Sequence, residues 1–418
     1  MSGKVYLTTT LNKDNVPVTA QPQMVYALLE IMPTEVMAAV RMPLNFSLVL
    51  DKSGSMSGDK IQRVKDAVKH VIDLVDDGDY ISIITFDSST RTRVKSQQAG
   101  GPSDRKSLKR QVDKLSAGGG TTMAPAMRAG LSEVKKHWSP SCVNRVVLLT
   151  DGQTTGERGC KKEADKAAQD NIPIIALGIG TDWNENLLLE IGSKSGGQAD
   201  YIAQAHEIGQ YFQSAVQAMQ AAVVQNAVLT LRLVAGINPR KVWRVVPLIS
   251  DLGYGPISDR AITVPLGELE KDQGQALLVE LMLPPNRPAG TYRIAQAEIA
   301  YDVPLLNLAQ EKTRADLMLS FTHDPNLARR VNPRVMNIVE KVTAFKLQTR
   351  ALQEAEMGNV AGATQKLRAA ATILLNQGDA DLARTAQLEA DKLEQQGQMT
   401  AEGKKTIKFK SSKTVKLG

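Results

Sequence analysis

The chain has 418 residues, too many for a single hydrophobic core, and its 42% apolar and 23% charged content is that of folded globular protein, which predicts roughly two to four domains. No run of about 18 uninterrupted apolar residues occurs, and the start Met1-Ser2-Gly3-Lys4-Val5-Tyr6 lacks the apolar core of a secretion signal, so the expectation is a cytoplasmic protein with no integral membrane segment. The net charge of +7 is local: six lysines against Glu402 between Gln398 and Gly418 carry +5 of it, and the near-neutral body argues against a nucleic-acid partner.

In chain order, residues 1–43 alternate apolar and polar side chains, with breaks at 12–15 and at Pro33. They read as strands too few to bury a core alone, so their partners must come from elsewhere in the sequence. From Leu44 the pattern changes to strand-helix alternation. Strands are predicted over 44–50, 80–86, 91–95, 144–150, 172–179 and 200–202, and helices over 60–75, 103–115, 123–137, 161–170, 184–195 and 205–223. Near-continuous apolar runs such as Val146-Val147-Leu148-Leu149 are those of strands buried on both faces. Residues 44–223 therefore predict an α/β domain with a doubly wound, mostly parallel, Rossmann-like sheet, whose polar strand 91–95 suits an antiparallel edge. Cys142 and Cys160 flank the strand 144–150, which would hold them roughly 20 Å apart and speaks against a disulfide.

Alternation returns over 224–303, punctuated by Pro284-Pro285 and Pro288-Ala289-Gly290, and predicts a β-sandwich completed by the N-terminal strands, with the α/β domain inserted into it. Residues 304–397 are expected to be helical. There Gly358-Asn359 followed by Ala363 resembles Gly378-Asp379 followed by Ala383, which suits hairpins of a tetratricopeptide-like repeat and of a plain antiparallel bundle equally. The last stretch, 398–418, is expected to be a basic, disordered tail whose Thr406, Ser411, Ser412 or Thr414 could be phosphorylated and read by a partner.

The chemistry is concentrated in three loops. Asp51-Lys52-Ser53-Gly54-Ser55 follows the apolar run 44–50, so a carboxylate and two hydroxyls stand at the carboxyl end of a buried strand. Hard oxygen donors of this kind suit Mg²⁺, and Mn²⁺ or Ca²⁺ would take the same set. Gly118-Gly119-Gly120-Thr121-Thr122 precedes a helix, and Thr150-Asp151-Gly152 ends another strand. In an open parallel sheet all such loops face the crevice at the carboxyl ends of the strands.

With these residues the chain resembles the von Willebrand factor A domains and their metal-ion-dependent adhesion site, an Asp-x-Ser-x-Ser loop joined by a distal Thr and a distal Asp. The matching positions are Asp51, Ser53, Ser55, Thr121 and Asp151, a complete set, with Thr122 as the competing candidate for Thr121. The whole chain is also similar to bacterial, especially cyanobacterial, proteins that carry such a domain. The resemblance implies that Ser53, Ser55 and Thr121 contact the metal, that Asp51 and Asp151 act through bound waters, and that a carboxylate of a partner protein completes the coordination. It implies a non-enzymatic protein-binding scaffold, with partners of the forkhead-associated, kinase, phosphatase or AAA+ ATPase classes.

Other readings of the same residues stay open. Asp51 and Ser53 could cap the following helix, and Asp151-Gly152 could be an ordinary turn. An adaptor for an AAA+ ATPase or for a kinase or phosphatase signalling complex is the alternative function. A metal-dependent hydrolase is disfavoured: Ser53 stands where a haloacid dehalogenase-type phosphatase needs a second Asp, and neither a phosphate loop nor a nucleophile elbow occurs.

Overall fold

Strands open the chain, where Val, Ile, Tyr and Thr recur: β1 (Val5–Leu11), β2 (Asn15–Pro17) and β3 (Gln23–Pro33). The computed structural model describes residues 4–39, 41–258 and 260–413, and it divides the chain into two units, Met1–Val40 with Val223–Gly418, and Arg41–Ala222.

The Arg41–Ala222 unit is α/β. Its elements follow in the order β4 (Leu44–Asp51), α1 (Asp59–Leu74), β5 (Tyr80–Phe86), β6 (Thr90–Gln98), α2 (Pro102–Asp113) and α3 (Met123–Lys135). Then come β7 (Val143–Thr150), α4 (Glu157–Gln169), β8 (Ile174–Ile179), α5 (Glu185–Lys194), β9 (Gln198–Ile202) and α6 (Ile208–Ala221). The sheet order is β6-β5-β4-β7-β8-β9, parallel except for the edge strand β6. Every residue of β4 is buried, Asn45 and Ser47 included, because helices cover both faces. Leu44, Phe46, Leu48 and Leu50 on one face pack with Val64, Val68, Val71 and Phe212, while Val49 points to the other. Because chain order runs outward on both sides of β4, the carboxyl ends of β4 and β7 bound the switch-point crevice.

The other unit continues with β10 (Ala222–Leu233), β11 (Asn238–Val246), β12 (Ser250–Asp251), β13 (Gly255–Ser258), β14 (Ala261–Glu270), β15 (Gln275–Leu283), β16 (Gly290–Val303) and β17 (Leu308–Thr322). Two sheets form, β1-β3-β15-β11-β12 and β13-β14-β10-β16-β17-β2. In β3, Val25, Ala27, Leu29 and Ile31 enter the core shared with Leu229, Val279 and Ile299. Leu28 faces the opposite way, toward Trp243, Leu278 and, on the helix named α8 below, Val335, Ile338 and Val342.

The helical region follows as α7 (Pro325–Arg329), α8 (Pro333–Glu356), α9 (Val360–Asn376), α10 (Ala380–Gln396) and α11 (Ala401–Lys410). The related turns before α9 and α10 are N-caps: Asn359 accepts from Gly362 N–H at 3.1 Å and Asp379 from Leu382 N–H at 3.2 Å. Each of α8 to α11 packs on the next and α11 returns to α8, a closed bundle and not an open stack. No helix among the described residues is long and apolar enough to cross a membrane.

Two expectations are corrected. The region after 304 is not helical throughout: after one 3₁₀ turn at Pro304–Leu306, β17 runs fifteen residues and pairs with β16 from Gly290↔Phe321 to Val303↔Leu308. Only its end shows buried alternation, at Leu317, Leu319 and Phe321, so the polar first half is held by cross-strand pairing and its Lys, Arg and Glu content misleads. The tail is not disordered over its described part. Thr400 caps α11 by accepting Gly403 N–H at 3.0 Å, and Ile407 and Phe409 are buried, Ile407 beside Leu393 and Met399. Ile249 N–H then donates to Ser412 O at 2.7 Å. Ser411 is buried, Thr406 and Ser412 are half-buried, and Thr414 lies outside the described residues.

Candidate metal centre

The site starts from β4. Asp51 ends a strand with no exposed residue, and its carboxylate is itself fully buried. Its Oδ1 accepts the Ser53 N–H at 2.8 Å, closing a tight turn, and its Oδ2 accepts the Thr150 hydroxyl at 2.6 Å from the end of β7. Burial pushes the Asp51 pKa up, the hydrogen bonds from Thr150 and Ser53 pull it down, and the nearby Asp151 charge adds to the rise; the net direction is upward.

The hydroxyls line up beside it. Ser53 Oγ lies 3.2 Å from Ser55 Oγ, and Ser55 Oγ donates to Asp151 Oδ1 at 2.6 Å. Asp151 is fully buried as a side chain and pairs through Oδ2 with Lys60 of α1. Neither Asp51 nor Ser53 caps α1, whose N-cap position is Gly58.

The glycine-rich loop closes over the serines through backbone contacts. Gly54 N–H donates to Gly119 O at 2.9 Å and Gly118 N–H to Lys52 O at 2.8 Å. Gly119 has φ +84°, and a side chain there would also meet Asp87 at 3.1 Å, so the position is suited to glycine twice over. Thr122 N–H donates to Asp87 O at 2.8 Å, while the Thr121 carbonyl accepts from Thr155 N–H at 3.2 Å and from the Thr154 hydroxyl at 3.3 Å. A Cβ at Gly152 would stand 3.6 Å from Thr121 Oγ1 and 3.8 Å from Ser55 Oγ. The hydroxyls of Thr121, the first of the two threonines, and of Ser55 thus both lie within 4 Å of one point beside Asp151. All five sequence-expected residues come together at one crevice.

Three supporting residues escaped the sequence reading. Thr150 was visible as a hydroxyl next to Asp151, but nothing local tells that it reaches back to Asp51. Lys60 is separated from Asp151 by ninety-one positions. Lys52 pairs with Asp87, whose carboxyl that contact holds down at about 2 against the smaller effect of burial. Asp87 also accepts from Ser89 N–H at 2.7 Å and Ser89 Oγ at 2.9 Å, which fixes the β5 loop under the glycines.

The donor set fits a hard divalent ion. All five groups offer oxygen, and the Ser53 to Ser55 and Ser55 to Asp151 separations of 3.2 and 2.6 Å bracket the spacing of about 3.0 Å between adjacent ligands of an octahedral ion bound at about 2.1 Å. Cys160 is buried on α4, its thiol pushed up to about 11 by burial and by Glu157, and belongs to the packing.

Comparison with known proteins agrees with this architecture. Residues 45–215 match the von Willebrand factor type A domain, and residues 333–417 match the Sll0103-like C-terminal alpha-helical domain. The Synechocystis protein sll0103, itself uncharacterised, is 30% identical over 315 residues, 72% of this chain and 72% of that protein. A von Willebrand factor type A protein from Catenulispora acidiphila shares the fold with a TM-score of 0.81 at 19% identity, over 99% of this chain and 98% of that one. The ArnB paralog VWA2 from Sulfolobus acidocaldarius does so at 0.56 and 15%, over 98% of each. The chain belongs to the Sll0103-like family of von Willebrand factor type A domain proteins.

Proposed function

We propose that Asp51, Ser53, Ser55, Thr121 and Asp151 hold a divalent cation, Mg²⁺ first and Mn²⁺ or Ca²⁺ by the same donors, and that the protein binds a carboxylate of a partner protein through it. The single observation that carries this reading is the electrostatic isolation of Asp51. Eight Asp or Glu side chains are buried among the described residues. Seven have an ion pair within the chain: Asp79 with Arg41, Glu133 with Lys136, Asp151 with Lys60, Glu163 with Arg128, Glu280 with Lys346, Glu298 with Arg314, and Glu389 with Lys392. Asp51 has only hydroxyl and amide partners. A buried carboxylate without a cation is costly, and a bound divalent ion removes that cost.

The ion would supply a Lewis-acidic point of attachment for an anionic oxygen. The chain's own residues orient and insulate that point. Thr150 and the Ser53 amide fix Asp51, Ser55 fixes Asp151, and the Gly54 to Gly119 bond holds the serine loop against the glycine loop. With both oxygens of each carboxylate already hydrogen-bonded, neither is poised as a general base, which favours binding over turnover.

Titration calorimetry with Mg²⁺ and Mn²⁺ tests the cation, with one ion bound expected for the native chain and none for Asp51→Ala. Affinity capture from the host's own lysate, in Mg²⁺ and in chelator, tests the bridge. A protein recovered equally in both conditions and with Asp51→Ala would rule out recruitment through the metal.

A further inference from the structure

Lys60 is placed against its own helix. It is the second residue of α1, where the macrodipole disfavours a cation, and nothing about helix stability calls for it there. What it gains is Asp151: the ammonium reaches Oδ2 while Ser55 occupies Oδ1, so each oxygen of this buried carboxylate has a partner within the chain. The lysine side chain keeps about a third of its surface exposed, 31%, against none for Asp151. Its flexible stem therefore gives the ammonium a route toward solvent.

We propose that Lys60 is a tethered cation that holds Asp151 while the site is without metal and is exchanged for the divalent ion on binding, so that it sets the metal concentration at which the site fills. The proposal rests on the metal reading above. A site of two carboxylates, one ammonium and one divalent ion carries a net charge of +1, whereas the same site without Lys60 is neutral. The lysine therefore opposes entry of the ion while it stays on Asp151, and its withdrawal toward solvent leaves the filled site neutral.

The test uses the full chain as Lys60→Met, which keeps the stem, and Lys60→Arg, which keeps the charge. Calorimetric titration with Mg²⁺ and with Mn²⁺ should show Lys60→Met binding about tenfold tighter than the native chain, with Lys60→Arg close to native. Thermal melts in chelator supply a readout that needs no metal. Lys60→Met should melt below the native protein there, because Asp151 loses its partner, and Mg²⁺ should close or reverse the gap. Equal or weaker Mg²⁺ binding by Lys60→Met, or melts in chelator identical to native, overturns the exchange while leaving the metal site standing. Binding by Lys60→Met where the native chain takes up no ion would be its strongest support. Absence of binding to both chains would remove the metal reading and the exchange together.

Discussion

Asp51 and Glu298 are both buried carboxylates on central strands, 0% and 3% exposed, and they differ in what surrounds them. Glu298 on β16 lies under Arg232 of β10 and under Lys312 and Arg314 of β17, placed there by the register that sets Thr230 and Arg314 opposite it. Burial alone would raise its pKa, but hydrogen bonds and charge from Arg314 and Arg232 outweigh it and hold the carboxyl down at about 2. Asp51 has hydroxyls and an amide instead, and its pKa moves up. The same side-chain chemistry is thus finished internally in one unit and left short of a cation in the other. That difference is the one the proposed metal site calls for, a carboxylate partnered within the fold against one left to a ligand.

The largest effect should come from removing the unfinished carboxylate. Asp51→Asn keeps the volume and should lower Mg²⁺ affinity by about a hundredfold or more, while its melt in chelator should be no lower than native, since a destabilising buried charge is gone. Glu298→Gln should do the reverse, leaving Mg²⁺ binding at its native value and lowering the melting temperature. A loss of stability in chelator for Asp51→Asn would erase the contrast between the two sites.

Next in size is Thr150→Val, which removes the hydroxyl donated to Asp51 Oδ2 and leaves the strand intact. A partner that orients a ligand is worth about ten- to a hundredfold in metal affinity, so calorimetry should show a loss in that range, restored in Thr150→Ser. Native affinity in Thr150→Val would mean that Asp51 is positioned by the Ser53 turn alone.

The unfinished site was the more legible of the two. Asp51, Ser53 and Ser55 sit within five residues after a largely apolar run, and Thr121 and Asp151 lie beside glycines at the ends of predicted elements, so local pattern marks the three loops and the family resemblance picks the five positions in them. Thr150 and Lys60 could not be read because their roles depend on which strand lies beside β4, a nonlocal fact. Glu298 was unreadable for the same reason, and more severely. Its partners on β17 fall in a stretch whose Lys, Arg and Glu content suggests a helix, and only pairing to β16 makes it a strand. The helix α11 failed similarly: Ile407 and Phe409 are two buried apolar residues in a lysine-rich run, and the core that Ile407 joins includes Leu393 and Met399, which the run itself does not reveal.

The smallest effects belong to the cations over Glu298, and they carry a pH signature. A carboxylate whose pKa is lowered in the folded chain contributes stability above the ordinary glutamate value of about 4.3, and loses it as pH falls from there through about 2. The native protein should therefore lose stability over that window relative to Glu298→Gln, which has nothing to protonate, and denaturant melts of the pair should converge toward pH 2. At neutral pH, Lys312→Ala should cost about 0.5 kcal/mol or less, because that ammonium is half exposed and sits at 3.4 Å, while Arg314→Ala should cost more because its guanidinium makes the closer contact. Salt should shrink both penalties, as it screens exposed charge. It should not rescue Asp51→Asn in the metal titration. There the missing element is a specific oxygen ligand, and ionic strength cannot replace it.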